Sequence, residues 1–284
     1  MVFDTTVQEK AVAYPTDSKL YNKMRVVLVK MARAAEIELR QSYVRVGRKA
    51  LIRANRYFHA RQHKRARRQV RKLRTYLGRV KRDIERKIAG NAELESSFKD
   101  MLCLAERLLQ QKKDDKDKIY SIHAPEVECI AKGKAHKRYE FGNKVSIATT
   151  ARSSFVVGVK SFHGNPYDGH TLSEAIEQVE RLTQRKLKDA LVDRGYRGHG
   201  YEGDADVHVV GNRRLSPWQR RGARRRSVVE AKIGHMKGHS RMNRNFLRGK
   251  FGDCYNAILC GAGVNLRRLI LEIYLKSRFF WKSI

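Results

Sequence analysis

The first nine residues, MVFDTTVQE, are β-branched and aromatic in the manner of a short strand, yet the next strand-like segments lie beyond residue 118. Between them the apolar residues fall at helical spacing. After the Tyr14-Pro15 break, Thr16 or Asp17 can cap a helix whose one face carries Leu20, Met24, Val27, Leu28, Met31 and Ala35. Helical character continues, with breaks, to about residue 113. A lone strand is not stable by itself, so the segments beyond residue 118 have to complete its sheet around a long helical insertion.

After the polar KKDDKDK linker at 112–118, segments 119–130, 139–150 and 154–162 are rich in Val, Ile, Phe, Tyr and Thr and short enough for strands. Gly142 reads as a bulge, residues 151–154 as a turn and HGNPYDGH at 163–170 as a loop. A helix starting at Thr171 or Ser173 carries Leu172, Ile176, Val179 and Leu182 on one face. Strands follow at 189–193 and 206–211, then a basic helix from Pro217 to about Lys237 and a more apolar one over 253–276. This order predicts an α/β fold with a mixed sheet covered on both faces by helices. The expected organisation is a first strand in 1–17, a basic helical insertion in 18–118, and the remainder of the sheet domain in 119–284.

Charge narrows the partners. The 284 residues hold 62 Lys and Arg against 29 Asp and Glu, a formal charge of +33, and 41% hydrophobic residues exclude a disordered basic tail. Residues 40–90 alone hold 19 Lys and Arg with Asp83 and Glu85 as the sole acids. Like charges at helical spacing repel, so a polyanion is the natural partner, and nucleic acid fits better than a membrane surface. Cys103, Cys129, Cys254 and Cys260 form no Cys-x-x-Cys pair, as expected of free thiols in a reducing compartment. The apolar tract at 255–275 is broken by Arg267, Arg268 and Glu272 and reads as a core helix. The expectation is a soluble, cytoplasmic, nucleoid-associated protein.

Against that basic background a few acids stand out. In ALVDRGYRGHG, residues 190–200, Asp193 ends an apolar run just before a glycine-rich turn. Asx-turn chemistry explains such a residue, with the side chain bonding its own backbone. In ARRRSVVEAKIGHMKGHSR, residues 223–241, Arg226, Glu230 and Lys237 are spaced by four and seven residues and so share one helix face, within about 40° of one another. That pattern suits a solvated ion pair, and equally a carboxylate facing an active site between two phosphate-binding cations. Asp4 lies in the first strand, Asp193 ends a later one, and Glu230 sits on the following helix. Grouped carboxylates need a cation, and hard oxygen donors suit Mg²⁺ or Mn²⁺. Two such ions can clamp the attacking and leaving oxygens of a phosphodiester.

These residues sit in blocks that resemble a known family: DTTVQEK at 4–10, PTDSKLY at 15–21, the stretch 119–146, HGNPYDGHTL at 163–172, VDRGYRGH at 192–199 and VVEAKIGHMKGHSRMNRN at 228–245. Together they resemble the insertion-sequence-five group of bacterial transposases, within the Asp-Asp-Glu superfamily. The resemblance implies a ribonuclease-H-like catalytic domain that uses divalent metal, with two Mg²⁺ or Mn²⁺ ions held by Asp4, Asp193 and Glu230. It implies that Arg226 and Lys237 hold the transposon end. The implied reaction is hydrolysis at the element's ends, freeing a 3′-hydroxyl that then attacks target DNA. The implied partners are terminal-repeat and target double-stranded DNA and, for pairing two ends, a homodimer. A tyrosine found three residues before the arginine in the sister group is replaced here by Ala223. Relatives carry a region before the first strand, so the chain is expected to be a fragment lacking it.

Two rival readings stand beside this one: a non-catalytic, DNA-binding remnant, and a ribonuclease-H-like nuclease without strand transfer. Other polar residues receive plainer roles. His163 and His170 are expected to make loop contacts, Glu126 and Glu128 to be solvent-exposed, Asp204 and Asp206 to sit in turns, and His199 and His235 to lie near DNA.

Overall fold

The computed structural model describes residues 1–112, 114–131, 137–210, 217 and 227–282. The chain divides into two compact units, Met1–Ala11 with Glu126–Ile284, and Val12–Pro125.

The second unit is a helical bundle of α1 (Asp17–Ala34), α2 (Val44–His59), α3 (His63–Ile88) and α4 (Ala92–Gln110). Thr16 caps α1 by accepting from the Lys19 amide, and Asn91 caps α4 by accepting from that of Leu94, so each satisfies a donor the first helical turn leaves over. Leu28, Leu73, Leu77, Ile84, Phe98 and Leu108 make its core. Ile119 and Ile122 join that core from an irregular segment. The strand expected over 119–130 is therefore confined to its end. Pro125 lacks an amide donor, and the apolar residues before it are already committed to the helical core.

The first unit is built on a six-stranded mixed sheet. Its strands are β1 (Val2–Glu9), β2 (Glu128–Ala131), β3 (Tyr139–Thr149), β4 (Val156–Phe162), β5 (Asp189–Val192) and β6 (Asp206–Val209). The path runs β2-β3-β1-β5-β6, with β4 beside β2 on the outer edge of β3. β1 is antiparallel to β3 and parallel to β5, which is parallel to β6. Helices α5 (Leu172–Thr183), α6 (Ser227–His239) and α7 (Gly249–Lys282) accompany it. Period-two alternation sends Phe3, Ala148, Ala190 and Val192 to the face packed by α5. Val2 and Leu191 point the other way, against Val229 of α6, and Val145 and Ile147 join Met236, Ala257 and Cys260 on that same side.

Two local expectations change. The β1–β3 register runs unbroken from Val2↔Thr149 to Glu9↔Gly142, so Gly142 is not a bulge. It is a point of close approach, where a Cβ would lie 1.8 Å from the Gln8 carbonyl oxygen. The register shift falls instead at Ala148/Thr149, opposite β4. The last helix also begins at Gly249 and extends beyond residue 276. Of the basic helix expected from Pro217, residues 218–226 lie outside the described residues, and Arg226 with them.

Candidate active site and nucleic-acid face

Register decides which acids meet. Val2 pairs with Leu191 on the adjacent parallel strand, so Asp4 and Asp193, each two residues further on, are neighbours on the face that α6 covers. Neighbouring strands lie about 4.8 Å apart. Asp4 is 8% exposed, and its Oδ1 accepts from the Thr5 amide at 2.8 Å. Asp193 is half-buried and extended (φ −86°, ψ −179°), and its Oδ1 accepts from the Gly195 amide at 2.8 Å. The turn reading of Asp193 thus holds together with its place beside Asp4, because the turn fixes the carboxylate at the strand end. Glu230 is exposed and directly follows Val229, the residue of α6 that packs on Val2 and Leu191.

Sequence reasoning missed a fourth carboxylate, Asp168. It opens a single 3-10 turn ahead of α5, and its Oδ1 lies 2.8 Å from the Lys144 ammonium of β3. A Cβ on Gly195 would stand 2.9 Å from Asp193 Oδ1 and 3.4 Å from Asp168 Oδ2, so the glycine lets both carboxylates close on one point. Tyr196 reports the same crowding. Burial first, then the charges of Asp4, Asp168 and Asp193, hold its phenol far above the usual tyrosine range. The signal available in the sequence was the acid within HGNPYDGH, read there only as loop.

Lys237 lies on α6 with its ammonium 3.9 Å from Oε2 of Glu140, a buried carboxylate on β3. The His199 ring accepts from the Tyr201 amide, and His235 stacks on His239 with centroids 5.5 Å apart.

Two other polar groups lie away from these acids. Asp189, Asp206 and His208 bring three donor atoms within 4.8 Å of one another, with His208 Nε2 2.7 Å from Asp189 Oδ1. Asp206 is therefore a strand residue paired with Asp189, and the group sits at the start of β5, about 13 Å along the strand from Asp193. The second is a buried ionic network at the far end of β1. Lys10 Nζ lies 2.9 Å from Glu126 and 2.5 Å from Asp253, and His163 stands 3.7 Å from both Asp253 and Glu128. Glu126 and Glu128 are thus half-buried, contrary to the exposure expected, because Lys10 and the Gly249 and Gly164 amides bond them. Burial would raise the Glu126 carboxyl, but backbone bonds and Lys10 hold it below the usual range. Burial raises Asp253 and lowers His163.

The helical unit has its own polar face. On α3, Ala66, Leu73, Leu77, Val80 and Ile84 are buried along one side. Arg68, Lys72, Arg79, Arg82 and Arg86 are exposed, and their spacing of 4, 7, 3 and 4 keeps them within about 40° of one line on the opposite side. The stripe is about 27 Å long. Arg86 spends part of its charge on Asp83, 3.3 Å away, and Tyr43 stacks on Tyr76 beside Arg79.

Residues 121–252 match the protein family described as Transposase DDE domain. The matched segment includes Asp168, Asp193, Glu230 and Lys237, and Asp4 precedes it. "Uncharacterized protein ORF8 in nfe locus" from Rhizobium meliloti is 59% identical over 59 residues, which is 21% of this chain and 28% of the relative. The chain therefore spans little more than a quarter of that relative's length. No solved structure matches.

Proposed function

We propose that this chain is the catalytic core of an Asp-Asp-Glu DNA transposase with a ribonuclease-H-like fold, which cuts DNA at insertion-sequence ends and joins the freed end to target DNA. The observation that carries the reading is the strand register beside the family match. Asp4 and Asp193 are neighbours across β1 and β5, and the helix bearing Glu230 packs over the same face, within and next to a segment that matches a transposase domain.

The donor set fits a hard divalent cation. The carboxylates come from separate elements: burial first, then the charges of Asp4, Asp168 and Asp193, raise the Tyr196 phenol, and a dication would relieve the repulsion among acids so grouped. Asp4, Asp193 and Glu230 would hold Mg²⁺ or Mn²⁺, which supplies Lewis acidity toward a scissile phosphodiester. The chain's own part is positioning. The Thr5 and Gly195 amides each bond one carboxylate oxygen and so hold the two acids in place. Lys144 pairs with Asp168 and offsets part of that fourth charge. In the first step water attacks phosphorus and the 3′-oxygen leaves, taking a proton to become a 3′-hydroxyl. In the second that hydroxyl attacks a target phosphodiester, and the target's own 3′-oxygen leaves.

DNA is the partner a transposase domain implies, and the α3 stripe presents five cations along a straight line to its phosphates. Arg226 and Lys237 would hold the end nearer the chemistry. The test is nicking of supercoiled plasmid with Mg²⁺ or Mn²⁺. Wild-type protein should nick it, and Asp193→Asn should bind but not nick. Metal-independent nicking, or equal nicking by the variant, would overturn the assignment. DNA binding without any nicking by the wild type would favour the non-catalytic remnant.

A further inference from the structure

We propose that the concavity between the α1–α2 connection and α3 binds the 5′-terminal nucleotide of a DNA strand, with its phosphomonoester held among arginines. The inference rests on the reading of α3 as a DNA-binding face. The reaction proposed above would supply the ligand, because each cut that frees a 3′-hydroxyl leaves a 5′-phosphate on the severed flank.

Two cavities border α3. One, of about 560 Å³, is lined by Arg68, Arg71, Lys72, Thr75, Tyr76 and Arg79, all from the helix itself. The other, of about 440 Å³, adds Arg40 and Tyr43 of the α1–α2 connection to Arg79, Arg82 and Arg86 of α3. Arg79 lines both, and the stacked Tyr43 and Tyr76, with ring centroids 4.6 Å apart, contribute one ring to each. The first cavity carries cations along one helix, as a track for successive phosphates requires. The second brings cations from two elements, as a group that is to be surrounded requires.

Charge and donor type identify that group. Asp83 and Glu85 also line the second cavity, but both are engaged. Asp83 is 6% exposed, accepts from the Arg40 amide at 2.9 Å and has Arg86 3.3 Å from its other oxygen. Glu85 pairs with Lys81 at 2.6 Å. Among the described residues, Arg40, Arg79 and Arg82 remain for an anion from outside. That is more positive charge than the single charge of an internal phosphodiester calls for, whereas a terminal phosphomonoester carries about −1.5 to −2 at pH 7. Every cation lining this cavity is an arginine, although α3 also carries Lys64, Lys72, Lys81 and Lys87. A planar guanidinium makes paired bonds to phosphoryl oxygens that an ammonium does not.

The cavity is built in advance of its ligand. Tyr43 holds a left-handed backbone (φ 52°, ψ 26°), which a bulky residue rarely adopts and which is characteristic of ligand clamps. Arg25 of α1, itself 2% exposed, fixes this turn, its Nη1 donating to the Ser42 carbonyl at 2.8 Å. Gly47 admits the arginine, since a Cβ there would stand 3.0 Å from its Nε. Arg79 Nη1 donates to the Tyr43 hydroxyl at 3.4 Å, and the hydroxyl's own hydrogen is left to donate to a phosphoryl oxygen. The volume falls within the roughly 300–1,000 Å³ of small-ligand sites, so a sugar and base fit behind the phosphate.

The test uses full-length protein and fluorescence anisotropy at about 0.15 M NaCl, without divalent metal so that no strand is cut. Two labelled duplexes share one sequence and a short single-stranded 5′ extension, one ending in phosphate and the other in hydroxyl. Wild-type protein should bind the phosphorylated duplex on the order of 10-fold more tightly, the worth of about one charge-assisted hydrogen bond. Arg40→Gln, which lies outside the α3 stripe, should remove most of that preference and leave binding of the hydroxyl duplex as it was. Tyr43→Phe, which keeps the stack, should lose part of it. Equal binding of the two duplexes by the wild type, or an undiminished preference in Arg40→Gln, would overturn the proposal. Binding of neither duplex would overturn the DNA reading of α3, and this proposal with it. Calorimetry with AMP separates the two sources of a phosphomonoester: a free nucleotide bound as tightly as the phosphorylated duplex would overturn the assignment to a strand end.

Discussion

Asp4 on β1 and Asp193 just past the end of the neighbouring parallel strand β5 each lie two residues beyond the paired Val2 and Leu191, and each has one carboxylate oxygen bonded to a backbone amide of its own segment. Two acids so fixed repel until a cation joins them.

That repulsion gives a readout independent of cleavage. In EDTA, Asp193→Asn should melt at or above the wild-type temperature. Saturating Mg²⁺ should raise the wild-type melting temperature and leave the variant unmoved. Equal metal shifts in both proteins would remove Asp193 from the site.

Gly195→Ala places a methyl group 2.9 Å from Asp193 Oδ1 and 3.4 Å from Asp168 Oδ2, so the carboxylates must separate. Metal affinity should fall on the order of 10-fold, with little change in DNA binding. Isothermal titration with Mn²⁺ checks this, and unchanged affinity would mean the turn has no part in metal binding.

Along α3, replacing Arg68, Lys72, Arg79, Arg82 and Arg86 with Gln should reduce the slope of log K against log salt by roughly 0.9 for each phosphate that is no longer neutralised. Fluorescence anisotropy with a random-sequence duplex measures it. A slope identical to wild type would clear the stripe of any role at the DNA.

Lys10→Met leaves Glu126 and Asp253 as buried charges without their cation, and should destabilise the sheet unit by about 3–5 kcal/mol in urea unfolding. A loss below about 1 kcal/mol would show that the network is better hydrated than its burial implies.

His163 sets a pH dependence. Burial lowers its pKa below the ordinary 6.5, so the unfolded chain binds a proton more readily than the folded one. Its contribution to stability is present above the unfolded value and is lost as pH falls through about 6.5 toward the folded value. Thermal melts from pH 8 to 5 should show that decline, and His163→Asn should flatten it. Parallel curves would locate the effect elsewhere.

Local pattern carried much of this architecture. Strand-like composition at residues 2–9 and 189–192, the Thr16 cap and the apolar spacing of α1 and α5 are all properties of neighbouring residues, and these elements formed where the pattern put them. Asp193 was legible because a strand that stops at an acid and a glycine turn is itself a local signal. Asp168 was not, since its proximity to Asp193 depends on how a loop folds back across the sheet. Lys10 and Asp253 were equally hidden, being separated by 243 residues and joined only in the buried network. The segment 119–127 misled because Ile119 and Ile122 serve a different core from the one a strand would have joined.

The Lys10–Glu126 ion pair marks the two places where the chain leaves the sheet unit and re-enters it, so 115 residues separate partners held 2.9 Å apart. During synthesis β1 emerges first, while β3 and β5 follow some 130 to 190 residues later. At roughly 5–20 residues per second, β1 waits many seconds for its partners, with the helical bundle already exported between them. A bundle that folds in that interval shortens the effective loop, and each halving of that loop lowers the entropic cost of closing β1 onto β3 by about 0.6 kcal/mol. Mutations that loosen the bundle should therefore slow formation of the sheet unit in stopped-flow refolding even though they touch none of its residues, and an unchanged rate would show that the two units fold independently.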